Sequence, residues 1–568
     1  GDYAVSDFLD TYTFGVNGSQ YVPKADATIA ALATAAGGNS FCLTTAIGDG
    51  TDASGNGNNF TPTSMSDAAN GTADTPSDSY ALLNPLDTRA TTYTTIGLAN
   101  GNLELTYKVG NAARSAFGDT LGGGQWVFEV TMLTAVGSAF VGWSAINVDL
   151  NNAGTQGPLV IYYSNGNKYV SSTSGTGAPT ISAYGATYNT IGDVIRVEAD
   201  FTASTVEFFK NGTSQGSISI SGMNDGTVDY FPSVYGSNAS LRVNFGQQPF
   251  IGTPTAGFKA LSTANLPTPV YQGADYFTVT LAQEADIEAD VVSAVADWSS
   301  NVTLYKNLAA AESWIHRFSS DASNEYLTGD NTSPTYQSTS TLAGTNAWVA
   351  FSFRTEDQAY QQTGISHTNG AVTTVTHNLG NADAMILLYN RSGTGNIFIY
   401  APQLTAGKLL KLNTNAAEAV DTSIQNVLAN SFDIGSTQAT GTYDVFILLN
   451  GDVFGVTSYI GNGAADGSFL YLPFKPQFMY LNRIVAGSDN PFFDTTRDDT
   501  GNVTNDALFV NLNDAEYPDI STYNQDFLSG GWKARTANVS FNPSSAKYFV
   551  LAVADIAGGG DLPPIYGR

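Results

Sequence analysis

Cysteine is almost absent: Cys42 is the only one in 568 residues. A single thiol excludes an internal disulfide framework. Flanked by Phe41 and Leu43, it reads as a small buried apolar residue. Histidine is nearly as scarce. His316, His367 and His377 stand apart, with no cysteine or second histidine at metal-ligand spacing, which argues against a zinc site. His316, inside Trp-Ile-His-Arg-Phe, reads as a strand residue, and His377, before Asn-Leu-Gly, as a turn residue. Positive charge is also short: 22 Lys and Arg stand against 50 Asp and Glu, for a net charge of −28. That acidity repels phosphate backbones, so no nucleic-acid partner is expected. No apolar run approaches the ~18 residues of a spanning helix, so no membrane insertion is expected. No GxSxG elbow, P-loop or HExxH occurs. Gly122-Gly123-Gly124 precedes a strand instead of opening a helix, so it is no phosphate cradle.

Charged residues make up 13% of the chain, about half the usual ~25%. Apolar residues reach 42% and aromatics 12%, enough for packed cores. The polar surface must then come from Ser, Thr, Asn and Gly, which suits short strands joined by turns. The length implies several domains.

The stretch from Gly192 to Phe250 shows the local grammar. Val194, Ile195 and Val197 lead one strand and Val206, Phe208 and Phe209 another. Asn211-Gly212 supplies the positive φ angles of a two-residue hairpin turn. Tyr230-Phe231-Pro232 and Leu241–Phe245 follow as further strands. Upstream, Trp126, Phe128 and Val130 alternate with Val127 and Glu129, so the first set is expected inside and the second outside. Asp26–Thr34, stopped by Gly37-Gly38, predicts a short helix. Residues 48–87 are rich in Gly, Asn, Asp, Ser and Thr and read as loops. Ile287, Val291, Ala294 and Trp298 have helical spacing, as do Val420, Ile424 and Val427-Leu428.

These phrases, in this order, resemble a family. Gly124-Gln125-Trp126-Val127-Phe128-Glu129-Val130, Tyr162–Tyr169, "GDVI", "FFKNG", "YFPSV" and "VNFGQQPF" resemble the SPRY domain, in the version found in bacteriophage virion proteins. The lead-in phrases "YVPK", "DASGNGNNFT" and "DTP…NP" extend that resemblance upstream to about Tyr21. It implies a concanavalin-like β-sandwich that binds partners and is not an enzyme.

Past Pro267 and Pro269, a motif recurs. Val302–Asn307, Met385–Arg391 and Phe478–Arg483 are apolar strands with a basic or Asn-containing end. Each is followed by a second apolar segment and closes on a longer one: Ala347–Phe353, Tyr443–Leu449 and Tyr548–Val553. Asn415-Ala416-Ala417-Glu418 lines up with Asn513-Asp514-Ala515-Glu516. The period of roughly 85–105 residues is large enough for each copy to be a small domain. The third copy resembles a domain of unknown function of marine-phage structural proteins. The predicted architecture is mainly β, with few short helices: a lead-in over 1–87, a SPRY sandwich over 88–265, and three related antiparallel β-sandwiches over 270–355, 360–455 and 456–568.

Two candidate sites follow. Trp143, Tyr162, Tyr163 and Tyr169 lie near SPRY turns, where an exposed aromatic platform can hold a ligand. Tyr162 and Tyr163 are adjacent, so a strand exposes only one of them. Asp494, Asp498, Asp499 and Asp506 cluster oxygens in one loop, a candidate Ca²⁺ site; no other cofactor is expected. The resemblance implies a virion protein, of the tail-fibre or spike kind, that attaches to a host receptor or glycan without catalysis. Its expected partners are other virion proteins and copies of itself, a trimer by analogy. A capsid- or tail-decorating role stays open, as does a glycan depolymerase, because paired carboxylates can come from distant positions.

Overall fold

The computed structural model describes residues 9–14, 18–23, 26–43, 50–61, 63, 80–85, 97–106 and most of 111–555. It leaves out 115–123, 135–137, 149–156, 221–229, 321–325, 329–334, 338–344, 499–502 and a few shorter gaps. The chain divides into two compact units, one over 19–268 and one over 269–557.

The N-terminal unit opens on a small loop module. The helix Asp26–Ala36 forms where expected. Asn56 Nδ2 lies 3.0–3.1 Å from the carbonyls of Ala33, Gly37 and Ser40, tying the helix end to the next loop. Asp52 accepts from the Ser54 hydroxyl and from the N–H groups of Cys42, Ser54 and Asn58. Those donors, the Ser54 hydroxyl foremost, lower its pKa to about 2. Cys42 is buried here.

Two antiparallel sheets follow. One runs Thr180–Ala183, Asn167–Gly175, Gly157–Tyr163, Ser138–Ala145, Tyr230–Ser237, Asn111–Arg114. The other runs Thr213–Ser219, Thr205–Lys210, Val194–Asp200, Gln125–Met132, Leu241–Asn244, Glu104–Leu105, Leu98–Ala99, with Lys259–Ala260 added in parallel to Gln125–Met132. They enclose one core that includes Phe128, Val130, Trp143, Tyr162, Val197, Phe208 and Val243, so the unit is a β-sandwich. The hairpin turn sits at Asn211 (φ 49°) and Gly212 (φ 82°). Val127 and Glu129 do point away from this core, yet both are buried. The reason is the exit segment: Glu129 accepts from the N–H groups of Ile251 (2.8 Å) and Gly252 (3.2 Å), and Glu198 from that of Thr255 (2.9 Å).

The C-terminal unit holds three large sheets. Their strand orders are Phe277–Gln283, Ala347–Arg354, Asn301–Asn307, Ile315–Phe318, Tyr326–Thr328, Thr335–Gln337; then Ala359–His367, Gly441–Leu449, Ala384–Asn390, Phe398–Tyr400, Lys408–Lys411, Ala419–Val420; and Phe454–Ile460, Lys547–Ala554, Pro476–Arg483, Pro491–Asp494, Leu508–Phe509. The order is the same each time: the first strand pairs with the last, then come the second, third and fourth. Residues 277–354, 359–449 and 454–554 thus each supply one sheet of one strand order.

The three sheets share a core. Phe351 and Phe353 from the first, Leu387 and Phe446 from the second, and Phe478, Phe492 and Leu551 from the third belong to one buried cluster. Each sheet buries its other face against its own second layer. For the second sheet this layer is Thr373–Thr376, Ser431–Ile434 and Ile424–Leu428; for the third it is Phe469–Tyr471, Gly531–Ala534 and Gln525–Leu528. For the first it is the helix Ile287–Ala294, whose Ile287 and Val291 pack on Tyr305, Trp348 and Ala350. Burial on both faces explains why the closing strands read as nearly unbroken apolar runs. The helical spacing of Val420, Ile424 and Val427-Leu428 is overturned. Ile424–Leu428 is a strand hairpinned onto Ser431–Ile434, with a register shift between Gln425 and Leu428 and Asn426 at φ 50°. The bulge breaks the period of two that marks a strand.

Candidate functional site

On the first sheet of the N-terminal sandwich, alternate residues face away from the core. Phe140, Leu159 and Ile161 form a second cluster there with Val148, and Tyr163, Tyr169 and Tyr235 pack against it half-buried. Register builds a row from them. Phe140 is paired with Tyr163 on one side and Tyr235 on the other. Tyr169 lies diagonally next, opposite Ile161. The Phe140 and Tyr235 rings stack at 5.0 Å and 5°, and those of Tyr163 and Tyr169 at 5.3 Å and 11°. Such cross-strand aromatic pairs stiffen one another. Burial, with Tyr163 beside it, raises the pKa of the Tyr169 hydroxyl, so it stays a neutral donor. The sheet is drawn tight below the row by Gly142, where a Cβ would meet the Val160 carbonyl at 2.1 Å. The result is a rigid strip of three half-buried tyrosine rings, edged with phenolic hydroxyls and set around the buried Phe140. It offers stacking and hydrogen bonding together, as partner-binding surfaces do.

The expected aromatic site is therefore split. Tyr163 and Tyr169 lie on the strip. Trp143 and Tyr162 are fully buried core residues. Trp143 packs on Phe128 and Phe201, and Tyr162 on Tyr188 and Phe208. The Tyr162 hydroxyl donates to the Ala186 carbonyl, and burial pushes its pKa up to about 12. Phe140 and Tyr235 were not singled out in the sequence, because each joins the strip only through strand register.

In its described residues, the acidic loop of the C-terminal unit is not arranged for a cation. Asp494 is fully buried and accepts from the N–H groups of Thr496 and Arg497 and from Arg497 Nε at 2.5 Å. Arg497 is itself buried and reaches Glu516 Oε1 at 2.5 Å. Asp498 accepts from Asn505 N–H (2.8 Å) and Asp506 from Asp519 N–H (2.7 Å); burial raises the Asp506 pKa. Asp499 lies outside the described residues. Among the described residues no group of three or more potential ligand side chains gathers. The physical reason is Arg497, whose guanidinium already occupies the place of a counter-ion.

Residues 125–248 match the family model of the SPRY domain. Residues 357–556 match that of a domain of unknown function, DUF7483, which spans the second and third sheets together. Among solved structures, the SPRY domain of human HERC1 is 20% identical, covering 29% of this chain and 99% of its own, with a TM-score of 0.24. Another human SPRY domain is 19% identical, covering 27% of this chain and 96% of its own, with a TM-score of 0.21. The chain thus contains a SPRY domain followed by a C-terminal DUF7483 domain.

Proposed function

We propose that this chain is a non-catalytic structural subunit of a bacteriophage particle, of the tail-fibre or spike kind, that attaches to the host surface. The observation that carries the binding part is the aromatic strip of Tyr169, Tyr163, Phe140 and Tyr235. The phage setting rests on the sequence resemblance that runs from Tyr21 through the SPRY phrases. Its partners would be other virion proteins, further copies of itself in a trimer, and a host receptor or glycan. Several copies on one particle turn weak single contacts into avidity.

Fluorescently labelled full-length protein mixed with host cells is the test. Saturable adsorption, reduced by Tyr163→Ser and Tyr169→Ser, is the expected result. Absence of adsorption, together with density lying flat on capsid or tail in cryo-electron microscopy of the particle, would make it a decorating protein instead. Release of reducing sugar from host polysaccharide would replace both readings with a depolymerase.

A further inference from the structure

The aromatic strip does not end at Tyr169. The next strand, Thr180–Ala183, pairs antiparallel with Asn167–Gly175 and sets Ile181 opposite Tyr169. Residues paired across two strands share a sheet face, so Ile181 continues the row of Tyr235, Phe140, Tyr163 and Tyr169. All four residues of this strand are exposed, Ile181 by 49%. It is also the last strand of its sheet: among the described residues, Asn167–Gly175 is its one strand neighbour.

The free side of this strand is a row of main-chain groups. Just past it, Tyr184 N–H donates to the Gly166 carbonyl at 2.9 Å. Bonded and non-bonded pairs alternate along an antiparallel ladder. Thr180 and Ser182 therefore turn their N–H and C=O groups toward Asn167–Gly175, and Ile181 and Ala183 turn theirs outward. Edges of this kind are ordinarily guarded by a charge, a proline or a bulge. Thr180–Ala183 has no charge and no proline, and its register runs without a shift. The strand at the opposite edge of the sheet, Asn111–Arg114, does carry a charge, at Arg114.

Charge sets the same sheet apart. In a chain of net charge −28, its six strands contain no Asp or Glu. Lys168 and Arg114 are their charged residues. The other sheet of the sandwich carries Glu104, Glu129, Glu198, Asp200 and Glu207. Loss of charge together with a gain of aromatics is the composition of an interface centre.

The edge narrows the occupant further. A saccharide can stack on tyrosine rings, but it has no N–H and C=O groups repeating at strand spacing. A polypeptide strand supplies both the main-chain groups and alternate side chains for the outer face. A second copy of this chain would bring its own −28 toward the first, a repulsion that an uncharged segment escapes.

We propose that Thr180–Ala183 takes up an extended, uncharged segment of a protein partner as an added strand. The main chain of that segment bonds to Ile181 and Ala183, and its alternate apolar side chains lie beside Ile181, in line with Tyr169. This rests on the reading of the aromatic strip as a binding surface and makes the partner there a polypeptide.

Random peptides of about eight residues, displayed as a library and selected on the immobilised full chain, test it. The enriched sequences should alternate apolar with polar residues, carry little charge and bind saturably once synthesised. N-methylation of one alternate set of their amides should weaken binding at least about tenfold, and of the other set should not. Ile181→Lys, at an exposed edge position, should weaken it about as much with the melting temperature held. No enrichment overturns the proposal, as does binding that neither N-methylation nor Ile181→Lys disturbs. A concentration-dependent dimer in sedimentation that Ile181→Lys dissolves also overturns it, by making a second copy the occupant. Host-cell adsorption separates this from the attachment reading. Adsorption lost in Tyr163→Ser but kept in Ile181→Lys leaves attachment standing and overturns the added strand. Peptide binding as expected, with no adsorption by the parent, supports the added strand and removes attachment.

Discussion

Lys306, on the first sheet of the C-terminal unit, donates through Nζ to the main-chain carbonyl of Asn513 on the third, 2.9 Å away. It also donates to the Glu312 carbonyl and is fully buried. The same pair of loops is joined by Glu516 N–H to the Leu308 carbonyl at 3.1 Å. The matching loop of the second segment repeats the bond against the third: Glu418 N–H donates to the Ile484 carbonyl at 2.9 Å. Each copy of the Asn-x-x-Glu phrase thus latches the next sheet. Replacing Lys306 by alanine removes a buried donor from two carbonyls and opens a void. A loss of about 2–4 kcal/mol is expected, read as a lower melting temperature. An unchanged melting curve would show the latch to be dispensable.

The common core makes a second prediction. Phe351 packs on Phe277, Trp314, Phe478 and Phe492. Phe351→Ala should cost about 3–5 kcal/mol. Hydrogen exchange should then quicken in the second and third sheets as well as in the first. Quickening confined to 277–354 would mean that the sheets unfold independently.

His316 makes the unit acid-sensitive. Burial lowers its pKa from 6.5 to about 3, and Nδ1 faces the Tyr389 hydroxyl at 3.3 Å. Between these values the unfolded chain binds a proton that the folded one refuses. Stability is therefore full above about pH 6.5 and falls as pH drops toward 3, by about 1.4 kcal/mol per pH unit for this one proton. His316→Gln should flatten that slope in urea titrations at successive pH values. A slope identical to the parent's would assign the acid sensitivity to other groups.

Metal removal should do nothing to the acidic loop. Chelation with EDTA, or added Ca²⁺, should leave the melting temperature unchanged, because Arg497 already neutralises Asp494. Asp494→Ala should instead cost about 3–5 kcal/mol by removing one carboxylate partner of a buried guanidinium. A Ca²⁺-dependent rise in melting temperature would refute this.

The two halves of the expected aromatic site should behave in opposite ways. Trp143→Ala removes a core side chain and should destabilise the SPRY sandwich by about 3–5 kcal/mol. Tyr163→Ser and Tyr169→Ser should shift its melting point little. Circular-dichroism melts of the three variants separate packing from surface.

Much of this protein is local and therefore legible along the chain. The Asn211-Gly212 turn, the helix after Asp26 and the helix at Ile287 follow from backbone chemistry that a few neighbouring residues carry. The recurrence of Val302–Asn307, Met385–Arg391 and Phe478–Arg483 marked three copies of one strand order. The two SPRY sheets followed from ordered phrases. What the sequence could not assign were relations between residues far apart in it. Whether Tyr162 or Tyr163 faces outward depends on which sheet face the core lies against, and a one-residue change in register exchanges them. The strip needs Tyr235 beside Phe140, across 95 residues. Asp494 looked like a ligand until folding placed Arg497 and Glu516 around it. The unbroken apolar runs of the closing strands signal burial, but only the tertiary structure shows why: each sheet has a private layer on one face and a core shared by all three on the other.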